Sequence, residues 1–328
     1  MGRCKRFVVM TALGLALVGG CKDKAKDKAS DKPSDKATDP AGAPTPGVPA
    51  GKTGDLELLP LDSEVVLAVD WAQFQGTTIW KDLALPALMK ESDVVEVITE
   101  IKTRCGFDFV TGLERVAIGV KGIDAELPDG VAVLHGLDKA KTLACADKWQ
   151  ADAVKEQVTY KNEGGVVTAI DPDGYGIGLV FIADTVALAV IGHGMSADRI
   201  KKAAAGDSAL AKSATFVDMY SKIDPKATVW GFVRGNAMQS EVADLIGVRP
   251  KAVFGFIDFG NGLSGRIRAR LESPAQATET ASGLRGQIDA IAQMVDKAAI
   301  RGDGSDVELE VTATPVKLKS LIAMLGDM

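Results

Sequence analysis

Aromatic residues and histidines are scarce in this sequence of 328 residues. Phenylalanine, tyrosine and tryptophan make up 5% of the chain, so the sequence gives no indication of a stacked sugar-binding platform. The two histidines, His135 and His193, and four cysteines without a paired CxxC spacing do not form a recognisable metal motif. We therefore expect no metal centre.

A long hydrophobic run is also absent. The apolar stretch from Phe7 to Gly20 has 14 residues, whereas a membrane-spanning helix needs about 20. It follows the basic residues Arg3, Lys5 and Arg6 and precedes a charged, proline-containing segment. This order is typical of a secretory signal peptide, which delivers the chain and is then removed.

Val18, Gly19, Gly20 and Cys21 resemble the lipobox of bacterial lipoprotein precursors, although leucine is commoner than valine at the first of these positions. The resemblance covers residues 1–21. It implies that the bond between Gly20 and Cys21 is cut, that the Cys21 thiol carries diacylglycerol, and that the new amino group carries an acyl chain such as palmitate. Two or more chains give stable membrane anchoring. The alternative is a plain signal peptide with an incidental cysteine.

Residues 22–54 are predicted to be a disordered tether. They are rich in lysine, aspartate and proline, and Val48 is their single larger apolar residue, so they cannot build a core. A flexible chain of this length has a root-mean-square span of roughly 30 Å. Lys22 stands where enteric lipoproteins kept in the inner membrane carry aspartate, which favours the outer membrane.

The charge balance argues against one class of partner. Removal of the three basic residues of the signal peptide takes the net charge from −6 to −9, and the tether carries two more basic than acidic residues. Residues 55–328 therefore have a net charge of −11. A body this acidic is a poor candidate for binding nucleic acid.

Cys105 and Cys145 are the two cysteines left in the body. An exported protein meets an oxidising compartment, where an even number of cysteines favours a disulfide. Two buried free thiols are the alternative.

Hydrophobic periodicity predicts an α+β fold, with a mostly antiparallel sheet and helices packed on one face. A helix is predicted over Ser92–Cys105, a four-stranded meander over 158–192, and one long helix over Ser273–Ala299. The order strand, helix, hairpin, helix, strand occurs twice, which indicates an internal duplication. The predicted organisation is a signal peptide at 1–20, the lipidated cysteine and tether at 21–54, and two similar halves at 55–206 and 207–328. Whether the halves form one sheet or two stays open.

Three arginines recur with the period of a strand: Arg266, Arg268 and Arg270. Their guanidinium groups share one face, so they are a candidate anion-binding strand for phosphate or carboxylate groups. The segment 306–310 carries acidic residues at the same period. If the two segments pair, the charges form a cross-strand ladder on a solvated face, and we favour this interpretation.

Short motifs that resemble catalytic or binding loops have simpler interpretations. The sequence GKTG at 51–54 lacks the preceding glycine of a phosphate-binding loop. The segment 171–178 breaks the calcium-loop pattern and reads as a hairpin turn, and residues 302–306 have the same explanation. His193 lies near Ser196 without the spacing of a nucleophile elbow. We find no catalytic motif.

Three classes of function remain. The leading hypothesis is a non-catalytic envelope module that binds or scaffolds another envelope component, because it fits a long tether and an acidic body. The alternative is a carrier or binder of a hydrophobic or lipid ligand, which predicts an apolar cavity of several hundred Å³. A second alternative is an envelope enzyme, which requires carboxylates or a histidine converging in a cleft.

Overall fold

The structure, a computed structural model, describes residues 54–125, 127–238 and 247–326. The predicted signal peptide, Gly20, Cys21 and nearly all of the tether lie outside these residues. The described chain begins with a turn in which Asp55, Leu56 and Leu59 are buried. The first described turn of the chain is therefore already packed into the core.

Within the described residues, twelve antiparallel strands form one continuous sheet. Their order across the sheet is β11-β12-β10-β9-β8-β1-β2-β3-β7-β6-β5-β4. The strands are β1 Val65–Asp70, β2 Arg115–Lys121, β3 Asp129–His135, β4 Thr159–Glu163, β5 Val166–Ile170, β6 Tyr175–Ala183, β7 Val186–His193, β8 Val229–Arg234, β9 Ala252–Asp258, β10 Leu263–Arg270, β11 Lys297–Asp303 and β12 Asp306–Ala313.

The two parts of the sheet have the same strand order. The first runs β1-β2-β3-β7-β6 and carries the additional hairpin β4–β5, and the second runs β8-β9-β10-β12-β11. The central strands β1 and β8 pair antiparallel, with Val66 opposite Phe232 and Ala68 opposite Trp230. Because these two strands are hydrogen-bonded, both parts belong to one sheet.

Helices connect many of the strands, and side-chain caps fix where several of them begin. The helices are α1 Trp71–Gly76, α2 Leu85–Leu88, α3 Ser92–Cys105, α4 Phe109–Gly112, α5 Lys139–Lys148, α6 Gln150–Lys155, α7 Ala197–Ala204, α8 Ala214–Tyr220, α9 Pro274–Gly283, α10 Arg285–Ala292 and α11 Pro315–Gly326. Asp138 caps α5 by accepting a hydrogen bond of 2.8 Å from the Lys141 amide. Gly106 ends α3 at φ 75°, a conformation that glycine adopts without strain.

Helices pack against both faces of the sheet. Alternation along β3 sends Val131 and Val133 to one face and Ala132 and Leu134 to the other. The first face, here called the α7 face, is covered by α7 and α8. The opposite face, here called the α5 face, is covered over the first part of the sheet by α3 and α5. Each face therefore has its own core.

The predicted α+β class with an antiparallel sheet is confirmed, and α3 and the meander β4–β7 match their predicted segments. Two details differ. Helices cover both faces rather than one, because the central strands are apolar on both sides. The predicted long helix over Ser273–Ala299 breaks up, since Lys297–Asp303 pairs with β12 as a strand. That pairing outweighs the helix propensity of its alanines.

Candidate functional site

A disulfide joins α3 to α5 above the α5 face. Cys105 is the last residue of α3 and is bonded to Cys145 in the middle of α5, with the two Cα atoms 4.9 Å apart. The predicted disulfide is therefore confirmed. Beside it, the Arg104 guanidinium stacks on the Trp149 ring at 4.1 Å and pairs with Asp152 of α6. These contacts hold the two helices together as a roof.

An apolar cavity of about 110 Å³ lies between this roof and the sheet. The roof contributes Ile101, Thr142, Cys145, Ala146 and Trp149. The sheet contributes the floor, formed by Leu134, Val167, Ala169, Ile177, Leu179 and Ala189. Phe107, Phe109 and Tyr160 also line the cavity. The site is thus built from five strands and the three helices α3, α4 and α5, together with Phe107 and Trp149, which lie outside these helices.

Small side chains leave this space open. Ala146 faces down from α5, and the floor strands present Ala169 and Ala189. On β6, Ile177 is the cross-strand partner of Ala169 and Leu179 is the partner of Ala189. The strand register therefore places two alanines on the same floor, and methyl groups there do not fill the gap below the roof.

Thr142 supplies a polar atom to the lining. Its residue surface is 7% exposed, and its hydroxyl has no hydrogen-bond partner among the described residues. A threonine within a helix can donate to the carbonyl one turn earlier, but this hydroxyl does not. Burying a hydroxyl without a partner costs about 1 to 3 kcal/mol. Thr142 thus places an unsatisfied hydroxyl on the inner face of α5.

The other hydroxyl in the lining is engaged. Tyr160 donates a hydrogen bond of 2.9 Å to Asp147 Oδ1, which also accepts one of 2.9 Å from Asn162 Nδ2. Burial and the adjacent Asp147 carboxylate raise the pKa of the Tyr160 hydroxyl. The phenol is therefore neutral at physiological pH and already has an acceptor.

The lining of the cavity is apolar apart from the side chains of Thr142 and Tyr160. The described residues that line it include no charged side chain and no histidine. Its volume is smaller than the several hundred Å³ that the carrier hypothesis predicted. An apolar cavity of about 150 Å³ stays dry and binds benzene. The present cavity is therefore of a size for a small apolar molecule, or for the end of an alkyl chain, rather than a whole lipid.

The arginines of β10 face carboxylates of β12. The strand register places Arg266 opposite Glu310, Arg268 opposite Glu308 and Arg270 opposite Asp306. This is the pairing on which the ladder interpretation depends. The ladder differs from the predicted solvated face, however, because Glu308 is 1% exposed and Asp306 is 0% exposed. Its centre is buried because β11 pairs along the other edge of β12 and contributes further charges.

Each buried carboxylate of this ladder has several basic partners. Glu308 contacts Arg268 and accepts a hydrogen bond of 2.9 Å from Arg301 Nε. Asp306 lies 2.5 Å from Arg270 Nε and 2.6 Å from Lys222 Nζ. Burial alone would raise the pKa of Asp306, but the hydrogen bonds from Arg270 and Lys222 outweigh it and hold this pKa below its ordinary value. The guanidinium groups of Arg268, Arg270 and Arg301 therefore form ion pairs with carboxylates of the protein itself.

The two histidines lie in different places and outside the cavity. His135 Nε2 is 2.7 Å from Asp55 Oδ1, and Arg115 pairs with the same carboxylate at 2.9 Å. This contact ties the start of the folded body to the sheet. The His193 ring packs against Tyr175 with centroids 5.2 Å apart. No group of three or more metal-ligating side chains occurs in the described part of the chain.

Loop 171–174 is stabilised as a turn. The Asp171 carboxylate accepts hydrogen bonds of 3.0 Å and 2.9 Å from the amides of Asp173 and Tyr175, which is an Asx-type turn between strands.

Among the described helices, none combines the length and apolar character needed to cross a membrane. Gly20 and Cys21 lie outside the described residues, so the lipid anchor stays a prediction.

The sequence interpretation singled out Cys145 but missed the cavity that it lines. The available signal was the inner face of α5, where Thr142, Cys145, Ala146 and Trp149 follow the spacing i, i+3, i+4 and i+7. Three of these four side chains are small. A helix face made of small residues allows its neighbour to approach closely, and it leaves a gap where other contacts hold the neighbour away.

Comparison with known proteins yields structural matches. No protein-family model matches the sequence, and no curated protein matches it. Crystal form III of TP0453 is 11% identical, with a TM-score of 0.48, over 82% of this chain and 97% of that chain. Crystal form IV of TP0453 is 9% identical, with a TM-score of 0.46, over 84% and 99% of the two chains.

Proposed function

We propose that this protein is an envelope lipoprotein, anchored through acyl chains on Cys21, whose body is a non-catalytic module that binds a hydrophobic ligand. The observation that carries the proposal is the apolar cavity between α5 and the sheet. Small-molecule sites are concave and mostly apolar with a few polar groups, and this smaller cavity has the same kind of lining. The lipobox resemblance and Lys22 support placement in the outer membrane.

The size of the cavity defines what it holds. At about 110 Å³ it takes a small apolar molecule or the terminal part of an alkyl chain, with the remainder of the ligand outside. Transfer of apolar surface from water gives roughly 25 cal/mol per Å² buried. The proposed module therefore binds one end of a hydrophobic compound and does not enclose a lipid.

The hypothesis of a protein partner has weaker geometric support. The outer strands of the sheet are β4 and β11, and each has an unpaired edge within the described structure. Such an edge can accept another strand. Both strands are mostly exposed, however, and they carry charged residues such as Lys161, Glu163 and Lys297, a common means of preventing edge-to-edge pairing.

Ligand binding is tested by NMR titration with toluene, a small apolar probe. The chain of residues 21–328 is used with Cys21→Ser and is exported behind a plain signal peptide, so that the disulfide forms without acylation. We expect toluene to shift the amide signals of α5 and of the floor strands β5–β7. Shifts confined to other regions, or no shifts at all, would contradict the proposal.

A matched pair of variants locates the binding. Ala146 lines the cavity, whereas Ala144 lies on the exposed side of the same helix. Ala146→Leu fills the cavity and is expected to abolish the toluene-induced shifts, and Ala144→Leu is expected to leave them unchanged. Equal binding by both variants would place the probe elsewhere.

The proposed anchor is tested separately by mass spectrometry of the protein extracted from membranes. The N-terminal peptide is expected to begin at Cys21 and to carry the mass of a diacylglycerol group and an amide-linked acyl chain. Cys21→Ser is expected to remove the modification and the cleavage. An unmodified Cys21 in the wild-type protein would refute the anchor.

A further inference from the structure

The hydroxyl of Thr142 is the unusual feature of the cavity. The side chain lies on the apolar inner face of α5, where valine would have the same shape, and it is more than nine-tenths buried. The Thr142 amide makes the ordinary helical bond of 2.9 Å to the Asp138 carbonyl, but the hydroxyl has no partner in the described part of the chain. A buried polar group normally has a hydrogen-bond partner. The unpartnered Thr142 hydroxyl therefore indicates a partner from outside the chain.

We propose that the ligand is a neutral amphiphile, in which an oxygen atom hydrogen-bonds to Thr142 and an adjoining apolar group fills the cavity. This inference rests on the proposed function and narrows its ligand class. Hydroxyl, carbonyl and ether oxygens satisfy the Thr142 hydroxyl, whereas a pure hydrocarbon leaves it unpartnered.

The ligand oxygen is neutral because the cavity does not compensate a charge. An ion buried without a partner is strongly unfavourable. The guanidinium group of Arg104, beside the roof, lies against the Trp149 ring and is paired with Glu100 and Asp152. A carboxylate or ammonium group placed beside Thr142 would find no counter-ion in the lining. Charged head groups of the ligand therefore lie outside the cavity.

Phenol and toluene test this inference, because they have nearly the same shape and differ by a hydroxyl in place of a methyl group. Dissociation constants are measured by NMR for both probes, with wild-type protein and with Thr142→Val, using residues 21–328 with Cys21→Ser. Loss of one hydrogen bond corresponds to roughly a fivefold to tenfold change in the dissociation constant. We expect Thr142→Val to weaken phenol binding by this factor and to leave toluene binding unchanged or tighter.

Thr142→Ser keeps the hydroxyl and is expected to retain the preference for phenol, while Thr142→Ala removes it and provides a second test if the valine variant does not fold. If both probes bind and Thr142→Val changes their dissociation constants by the same factor, the role of Thr142 is refuted and the proposed function stands. If neither probe binds in the cavity of the wild-type protein, the proposed function itself fails.

Discussion

Glu308→Gln removes the buried negative charge at the centre of the β10–β12 ladder. The Glu308 side chain is 1% exposed and lies among the guanidinium groups of Arg266, Arg268 and Arg301. Glutamine has almost the same shape, so the substitution changes charge and hydrogen bonding with little change in packing. Arg268 is itself 5% exposed and would keep its contacts with Asp303 and Asp306 alone.

The expected loss of stability is large. Breaking a buried ion pair by removing one partner costs about 3 to 5 kcal/mol, because the remaining charge stays desolvated. With a urea dependence of about 3 kcal/mol per M, the midpoint of urea unfolding is expected to fall by roughly 1 to 1.7 M. Unfolding is followed by circular dichroism or tryptophan fluorescence.

Glu310→Gln is the matched control on the same strand and the same face. The Glu310 side chain is 31% exposed and pairs with Lys297 Nζ at 2.8 Å. An exposed pair of this kind contributes less than about 1 kcal/mol. If Glu308→Gln lowers the free energy of unfolding no more than Glu310→Gln does, burial does not determine the strength of the ladder, and the reasoning is refuted.

Three further outcomes are expected. Reduction of the Cys105–Cys145 disulfide, which spans a sequence separation of 40 residues, is expected to lower the free energy of unfolding by roughly 4 kcal/mol in urea titrations; no change on reduction would contradict this. The lowered pKa of Asp306 contributes stability above the ordinary aspartate range, and this contribution disappears as the pH falls through the lowered pKa. Urea midpoints should therefore be nearly constant from pH 7 to 5 and fall from pH 4 to 2 in wild type, with a smaller acid-dependent fall in Asp306→Asn. Gly136 has φ 93°, and a Cβ there would lie 2.5 Å from a carbonyl oxygen, whereas Gly164 has φ 62° and open space among the described atoms. Gly136→Ala should lower the melting temperature more than Gly164→Ala, and equal effects would show that the close contact is relieved at no cost.

Much of the fold follows from local sequence patterns. Apolar runs such as 186–191 predict buried strands, and the stripe along Ser92–Cys105 predicts α3, because burial of apolar side chains decides both elements. The pairing of β10 with β12 also follows from matching periods of opposite charge. Strand β11 does not follow, since its alanines and lysine favour a helix until β12 is present to pair with them.

The cavity could not be predicted from the sequence. Ala146, Ala169 and Ala189 lie on three separate elements, and each is an ordinary residue in its own segment. Only the register of β5, β6 and β7 and the position of α5 bring the small side chains together. The unpartnered state of the Thr142 hydroxyl depends in the same way on its tertiary surroundings. Packing of distant segments therefore determines the candidate site.

A crystal structure determined under xenon pressure tests the central claim most directly, because dry apolar cavities bind xenon. The account predicts a xenon peak between Ala146 of α5 and Ala189 of β7 in the wild-type protein and its loss in Ala146→Leu. A wild-type structure in which neighbouring side chains fill this space and no xenon binds there would contradict the account.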